Sequence, residues 1–166
     1  MDGIQLDFER DFEFSPPIVW DALIDPALVG GWLAEARIEP VTGGHYALRW
    51  MTRPGAPVVP GRIAELRAPE LLQLERDGVG TLRFELTELA GGSRGTSTRL
   101  RVSVRASVEP AFTARVTADW MTALDQLDDL LHGHPVDWQH WERDRHESWA
   151  GHLDDEANSA GRESSN

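Results

Sequence analysis

Near residue 107 the spacing of the apolar residues changes, and that change governs what this chain can fold into. Upstream they alternate with polar ones. Ile4, Leu6, Phe8, Phe12 and Phe14 have Gln5, Asp7, Glu9, Asp11 and Glu13 among them, with Arg10 alone breaking the apolar side. Thr98, Leu100, Val102, Val104 and Ala106 likewise interleave with Arg99, Arg101, Ser103 and Arg105. A period of two describes a strand with one wet face. Downstream, Phe112, Val116, Trp120, Leu124, Leu127 and Leu131 fall on one stripe of a long helix, the pattern of an element that buries one side. Gly133 and Pro135 then stop it, because glycine takes the left-handed cap and proline cannot continue.

Between these two strands lie further strand-like segments punctuated by turn residues. Gly43-Gly44 precedes HYALRWMT, Pro54-Gly55 leads to VVPGRIAEL, Ala68-Pro69 to LLQLER, Asp77-Gly78 to TLRFELTEL, and Gly91-Gly92 to the last strand. One stretch differs: SPPIVWDALIDPALVGGWLA, residues 15–34. Proline is tolerated only in the first turn of a helix. Ser15 before Pro16 and Asp25 before Pro26 therefore read as two N-caps, starting two short helices that meet at an angle. Neither is long enough to stand alone, so both must pack on something larger.

The order is strand, two short helices, a meander of about six strands, and one long helix. Hairpin connections make the sheet antiparallel, with one face free for burial, and the terminal helix is its natural cover. If the first strand pairs with the last, Asp7, Glu9, Asp11 and Glu13 lie beside Arg99, Arg101 and Arg105, a favourable cross-strand arrangement. At 166 residues one domain suffices. We expect it over residues 1–133, with an additional helix over 134–153, capped by Asp137, and a disordered acidic tail over 154–166.

Composition removes whole classes of chemistry. There is no cysteine, hence no disulfide or thiolate, and all 16 cationic residues are arginine, hence no Schiff-base lysine. A net charge of -12 repels phosphate backbones and anionic headgroups, which argues against nucleic acid and membrane as partners. No apolar run approaches a membrane span, and the acidic start MDGIQLDFERD is unlike a signal peptide, so a cytoplasmic location is expected. No nucleophile–base pair, phosphate loop or carboxylate pair stands out, and no catalytic residue, metal ligand or cofactor is expected. His140 and Asp144 share a helix face at metal-ligand spacing, but solvated surface is the plainer reading.

The residues SPPIVWDALIDPALVGGWLA, GGHY at 43–46, GRIAEL at 61–66 and TLRFELTE at 81–88 resemble the START-like, or SRPBCC, superfamily. Within it the chain is similar to bacterial proteins homologous to the activator of heat-shock-protein-90 ATPase, from about Phe8 to Leu131. The resemblance implies an α+β helix-grip fold, with a curved antiparallel sheet of six to seven strands wrapped around the long C-terminal helix. The two short helices would then form one wall of a cleft, with Trp20 and Trp32 turned toward the long helix. Three departures stand out. Arg76 occupies a position where family members often carry Trp; the family's His-x-Gly is replaced by Val104-Arg105-Ala106; and the tail with Trp138, Trp141 and Trp149 lies outside the shared domain.

Alternation places Tyr46, Leu48 and Trp50 inward, and also Glu65, Leu74 and Arg76. With Arg10, Trp32 and Trp120 these residues define an apolar, aromatic interior that holds two arginines and one carboxylate. Buried charge is costly unless paired. Either these groups meet a polar atom of a ligand, or the arginines snorkel to the rim or pair with Glu65. The first expectation is a protein that binds a small hydrophobic molecule under the long helix. The superfamily also contains polyketide cyclases that use cavity arginines and aromatics, and the family name raises a chaperone-partner role. The tail tryptophans should dock on the domain itself or form a homodimer contact.

Overall fold

The computed structural model describes residues 3–51, 55–76, 80–91, 95–107 and 109–163, with side chains described through residue 156. Strand β1 (Ile4–Phe12) is followed by helices α1 (Pro16–Ile24) and α2 (Pro26–Val29). Strands β2 (Glu35–Ile38), β3 (Tyr46–Arg49), β4 (Arg62–Arg67), β5 (Leu71–Arg76), β6 (Gly80–Ala90) and β7 (Thr96–Ala106) form the meander. A single 3-10 turn, Pro110–Phe112, leads into α3 (Thr113–Leu131), and a second, Trp138–His140, into α4 (Trp141–Glu163).

Five strands form one antiparallel sheet in the order β1-β7-β6-β5-β4, and β2 pairs with β3. Two isolated bridges, His45 to Arg62 and Leu48 to Val59, carry the curvature from β4 on to β3. The seven strands thus follow the expected helix-grip layout. β1 pairs with β7, and its register sets Glu9 opposite Arg101 and Asp11 opposite Arg99. Arg99 Nε donates to Asp11 Oδ1 at 2.9 Å and Arg101 Nε to Glu9 Oε2 at 2.9 Å. The Arg99 guanidinium holds the Asp11 carboxyl below its ordinary range. These pairs are exposed and set register more than they add stability.

The inner face carries Leu82, Phe84 and Leu86 of β6 and Leu100, Val102 and Val104 of β7, which pack with Trp120, Leu124 and Leu127 of α3 in one core. Phe112 departs from the expected stripe. It sits on the 3-10 turn before α3 and is 50% exposed, because the helical period begins only at Thr113. α4 continues through Glu163, past residue 154, where a disordered tail was expected. That segment lacks proline, and the helix formers Glu156, Ala157 and Ala160 offset the weaker Asn158, Ser159 and Gly161.

Candidate functional site

One end of the cleft under α3 is closed by α1 and α2, and the break between those helices explains how. In a continuing helix the carbonyl of Ala22 would accept from residue 26, but Pro26 has no N–H. The carbonyl of Leu23 would accept from Ala27, whose N–H instead goes to the capping Asp25 carboxylate at 3.0 Å. Two buried carbonyls are left over, and an aromatic side chain takes each. Trp32 Nε1 donates to Ala22 O at 2.7 Å, and the Tyr46 hydroxyl donates to Leu23 O at 2.6 Å. Burial pushes the Tyr46 phenol above its ordinary pKa, since the ionised form would be charged in an apolar setting. The cap at Ser15 works through its backbone alone, its carbonyl accepting from Ile18 and Val19 at 3.0 and 3.2 Å.

Gln126 of α3 extends this arrangement. Its amide donates to Trp32 O at 2.7 Å and accepts from Trp141 Nε1 at 2.8 Å. Gln126 is 4% exposed, and the one hint in the sequence is a polar residue at i+3 from Ala123 on the buried side of α3. Trp32 is fully buried, and so is Leu48 at 1% exposure. Trp120 fills the centre, with its ring centroid 6.5 Å from Phe8 and 6.2 Å from Phe84. Trp32, Tyr46, Leu48 and Trp120 form packed core, with the side-chain polar atoms of Trp32 and Tyr46 already satisfied by backbone.

Arg10 and Glu65 do not meet. Arg10 Nη1 reaches across to α3 and donates to Asp125 Oδ1 at 2.6 Å, while the other oxygen of Asp125 faces His152 Nε2 at 2.8 Å. Glu65 points outward, contrary to its expected inward placement. The pairing of β4 with β5 shifts between Ile63 and Glu65, and such a bulge inserts one residue and reverses the parity beyond it. Leu66 consequently packs on the core. Glu65 lies 3.5 Å from Arg83 Nη1 and 3.8 Å from Arg67 Nε on the exposed face.

Arg76, at the end of β5 and on the side of Leu72 and Leu74, keeps its predicted inward position. On the sheet it lies beside Gly61 and Tyr46, since Arg62 pairs with Glu75 and the Tyr46 N–H donates to Gly61 O at 2.9 Å; Trp50, just past the end of β3, is partly buried against the core. The Nε of Arg76 is buried and has no hydrogen-bond partner among the described residues, and burial pushes the guanidinium below its ordinary pKa. Gly61 makes room for it: a Cβ there would sit 3.2 Å from Arg76 Cγ and 2.7 Å from the carbonyl of Tyr46. The neighbouring charges cancel, Arg62 Nη2 donating to Glu75 Oε2 at 2.8 Å.

The best-formed depressions among the described residues are open and lie elsewhere. One, of about 540 Å³, is bounded by Pro16, Pro17, Pro69 and Leu86, and the other, of about 480 Å³, lies beside Ile4 and Gly80. Among the described residues no cluster of His, Cys, Asp or Glu is arranged to hold a metal ion, and no helix is long and apolar enough to cross a membrane.

The tail packs on its own domain. Trp138 Nε1 donates to Gly30 O at 2.6 Å and Trp149 Nε1 to Asp119 Oδ1 at 2.7 Å, and Arg145 pairs with Asp129. Gly31 permits the approach, because a Cβ there would meet Leu130 Cδ1 at 2.8 Å and Pro135 Cβ at 3.2 Å. Together with Trp141 on Gln126, the three indole N–H groups bond within the chain.

A sequence model described as activator of Hsp90 ATPase homolog 1-like protein matches residues 13–132. No curated protein matches the chain significantly. Among solved structures, a protein from Nitrosomonas europaea is 19% identical, with a TM-score of 0.63 over 78% of this chain and 94% of that one. CalU16 from Micromonospora echinospora is 21% identical, with a TM-score of 0.58 over 90% and 87%. A conserved protein of unknown function from Enterococcus faecalis is 18% identical, with a TM-score of 0.67 over 94% and 86%. At these identities the likeness is one of fold.

Proposed function

The chain belongs to the activator of Hsp90 ATPase homolog 1-like family, and from that premise we propose that it binds a small, largely apolar molecule at the Arg76 end of the cleft. One observation carries the reading: Arg76 has a buried Nε with no acceptor. A buried donor left unpaired costs free energy, and a ligand acceptor removes that cost. Leu74 on its own strand and Ile63 on β4 offer an apolar wall, the usual combination in a ligand site.

Binding is favoured over catalysis because the phenol a cyclase would recruit, that of Tyr46, is committed to Leu23 O. The tail tryptophans favour self-packing over a dimer contact for the same kind of reason, since their N–H groups have partners within the chain. Native mass spectrometry of freshly purified protein tests the proposal. We expect a bound species of a few hundred daltons, or one acquired from a library of small aromatic acids, that is lost in Arg76→Leu. A bare protein that acquires nothing, with no shift in melting temperature on addition of the library, would sink it.

A further inference from the structure

The geometry points to a more specific ligand: a short aromatic or branched monocarboxylate, held side-on by the Nε edge of Arg76. This rests on the preceding reading that the Arg76 end of the cleft is a binding site. Three observations narrow the class.

The first is which donor is unpaired. A guanidinium is a rigid planar fork, and its Nε and one Nη present two parallel N–H bonds along one edge. In Arg76 it is Nε that is buried without an acceptor, so the ligand must engage that edge and not only the tip of the side chain. Two parallel donors fit the two oxygens of a carboxylate. A lone carbonyl or hydroxyl would satisfy only one of them.

The second is the charge count. Arg62 is neutralised by Glu75, and Arg67 and Arg83 lie against Glu65. Arg105 is exposed on the outer face of β7, and Arg115 is exposed on α3. Among the described residues Arg76 is therefore the one uncompensated cation on the inner face at this end. It balances a single negative charge, and the second charge of a phosphate monoester would find no partner.

The third is depth. Around Arg76 the inner wall is closed by Tyr46, Ile63 and Leu74, each at most 2% exposed. Tyr46 cannot swing aside without releasing the carbonyl of Leu23. A long acyl chain has nowhere to go, whereas a ring or short branched group need not enter the core.

The test titrates the full chain with 2-naphthoate, 2-naphthamide, 2-naphthyl phosphate and palmitate. Calorimetry gives affinity, and the Arg76 Nε–H resonance is followed by 15N NMR. We expect 2-naphthoate to bind at least tenfold more tightly than the amide or the phosphate, no more weakly than palmitate, and to shift the Arg76 Nε–H signal. Arg76→Leu should lose tenfold or more and Arg76→Lys several-fold, because lysine keeps the charge but lacks the fork. Arg76→Gln serves if the leucine variant folds poorly, and the wild-type resonance needs no variant. Acid and amide binding equally, with Arg76→Leu unaffected, would overturn the carboxylate while leaving a cleft ligand standing. Tighter binding of the phosphate would overturn the monoanion, and tighter binding of palmitate the short ligand. No binding of any probe at millimolar concentration, with nothing co-purifying, would bring down both this inference and the function it rests on.

Discussion

Against α1 and α2, Trp32, Tyr46 and Gln126 each place a polar atom on a backbone carbonyl, whereas on β5 Arg76 keeps a buried donor with no acceptor among the described residues. Both regions mix large side chains with polar groups, so composition alone would not separate them. The difference lies in accounting for donors. Where every group finds a partner inside the fold, the side chains hold two short helices that could not persist alone. Where one does not, the fold carries a cost that an added molecule can relieve. The satisfied groups therefore serve stability, and Arg76 is where the proposed ligand would be recognised.

The largest test of this contrast is Trp32→Ala. It removes a fully buried indole and the donor to Ala22 O, so urea denaturation should show a loss of about 3–5 kcal/mol. A loss no larger than that of an Arg76 substitution would erase the distinction. Next comes Tyr46→Phe, which leaves Leu23 O without its side-chain donor and should cost about 1–3 kcal/mol. The same residue makes the wild type sensitive to alkali. Its folded pKa is raised, so its contribution is complete below the unfolded phenol value of about 10 and falls away as pH rises beyond it. Melting temperatures measured from pH 8 to 12 should show an alkaline decline that is shallower in Tyr46→Phe.

Arg76→Met should do the opposite. It replaces a desolvated cation by an apolar side chain, and stability in urea should stay within about 1 kcal/mol of wild type or rise. A loss above about 2 kcal/mol would mean that Arg76 is part of the scaffold. The smallest effect is expected at Thr122 of α3, whose hydroxyl is also buried without a partner. Thr122→Val keeps the shape and removes a neutral group that costs far less than a charge, so a gain of about 0.5 kcal/mol is expected from thermal melts.

Most of the scaffold was legible before any coordinates. The pairing of β1 with β7 could be read from opposite charges on two alternating strands, the long helix from the change of period, and the kinked helix pair from two prolines each preceded by a capping residue. Arg76 could be placed inward by counting from Leu72. Glu65 could not be placed, because a bulge reverses parity and carries no signature in GRIAEL. Nor could the partners of Trp32 and Tyr46 be read, because a bond to a backbone carbonyl leaves no trace in the identity of the accepting residue. Asp125 was missed for a related reason: Arg10 has a partner 115 residues away, and α3 offers several carboxylates among which sequence cannot choose.

The placing of β1 also has a consequence in time. Its one sheet neighbour is β7, with Ile4 opposite Ala106. β5, β6 and β7 are joined by hairpins and can pair as each is made, but β1 must wait until the last strand has left the ribosome. The strand synthesised first is the last to be seated, and such distant pairing slows folding. Throughout that interval β1 is an unpaired strand with apolar residues on one side, the kind of edge that recruits other chains. Asp7, Glu9, Asp11 and Glu13 make two waiting copies repel one another until Arg99 and Arg101 arrive, so the acidic row that fixes register in the finished sheet also guards the nascent chain against aggregation.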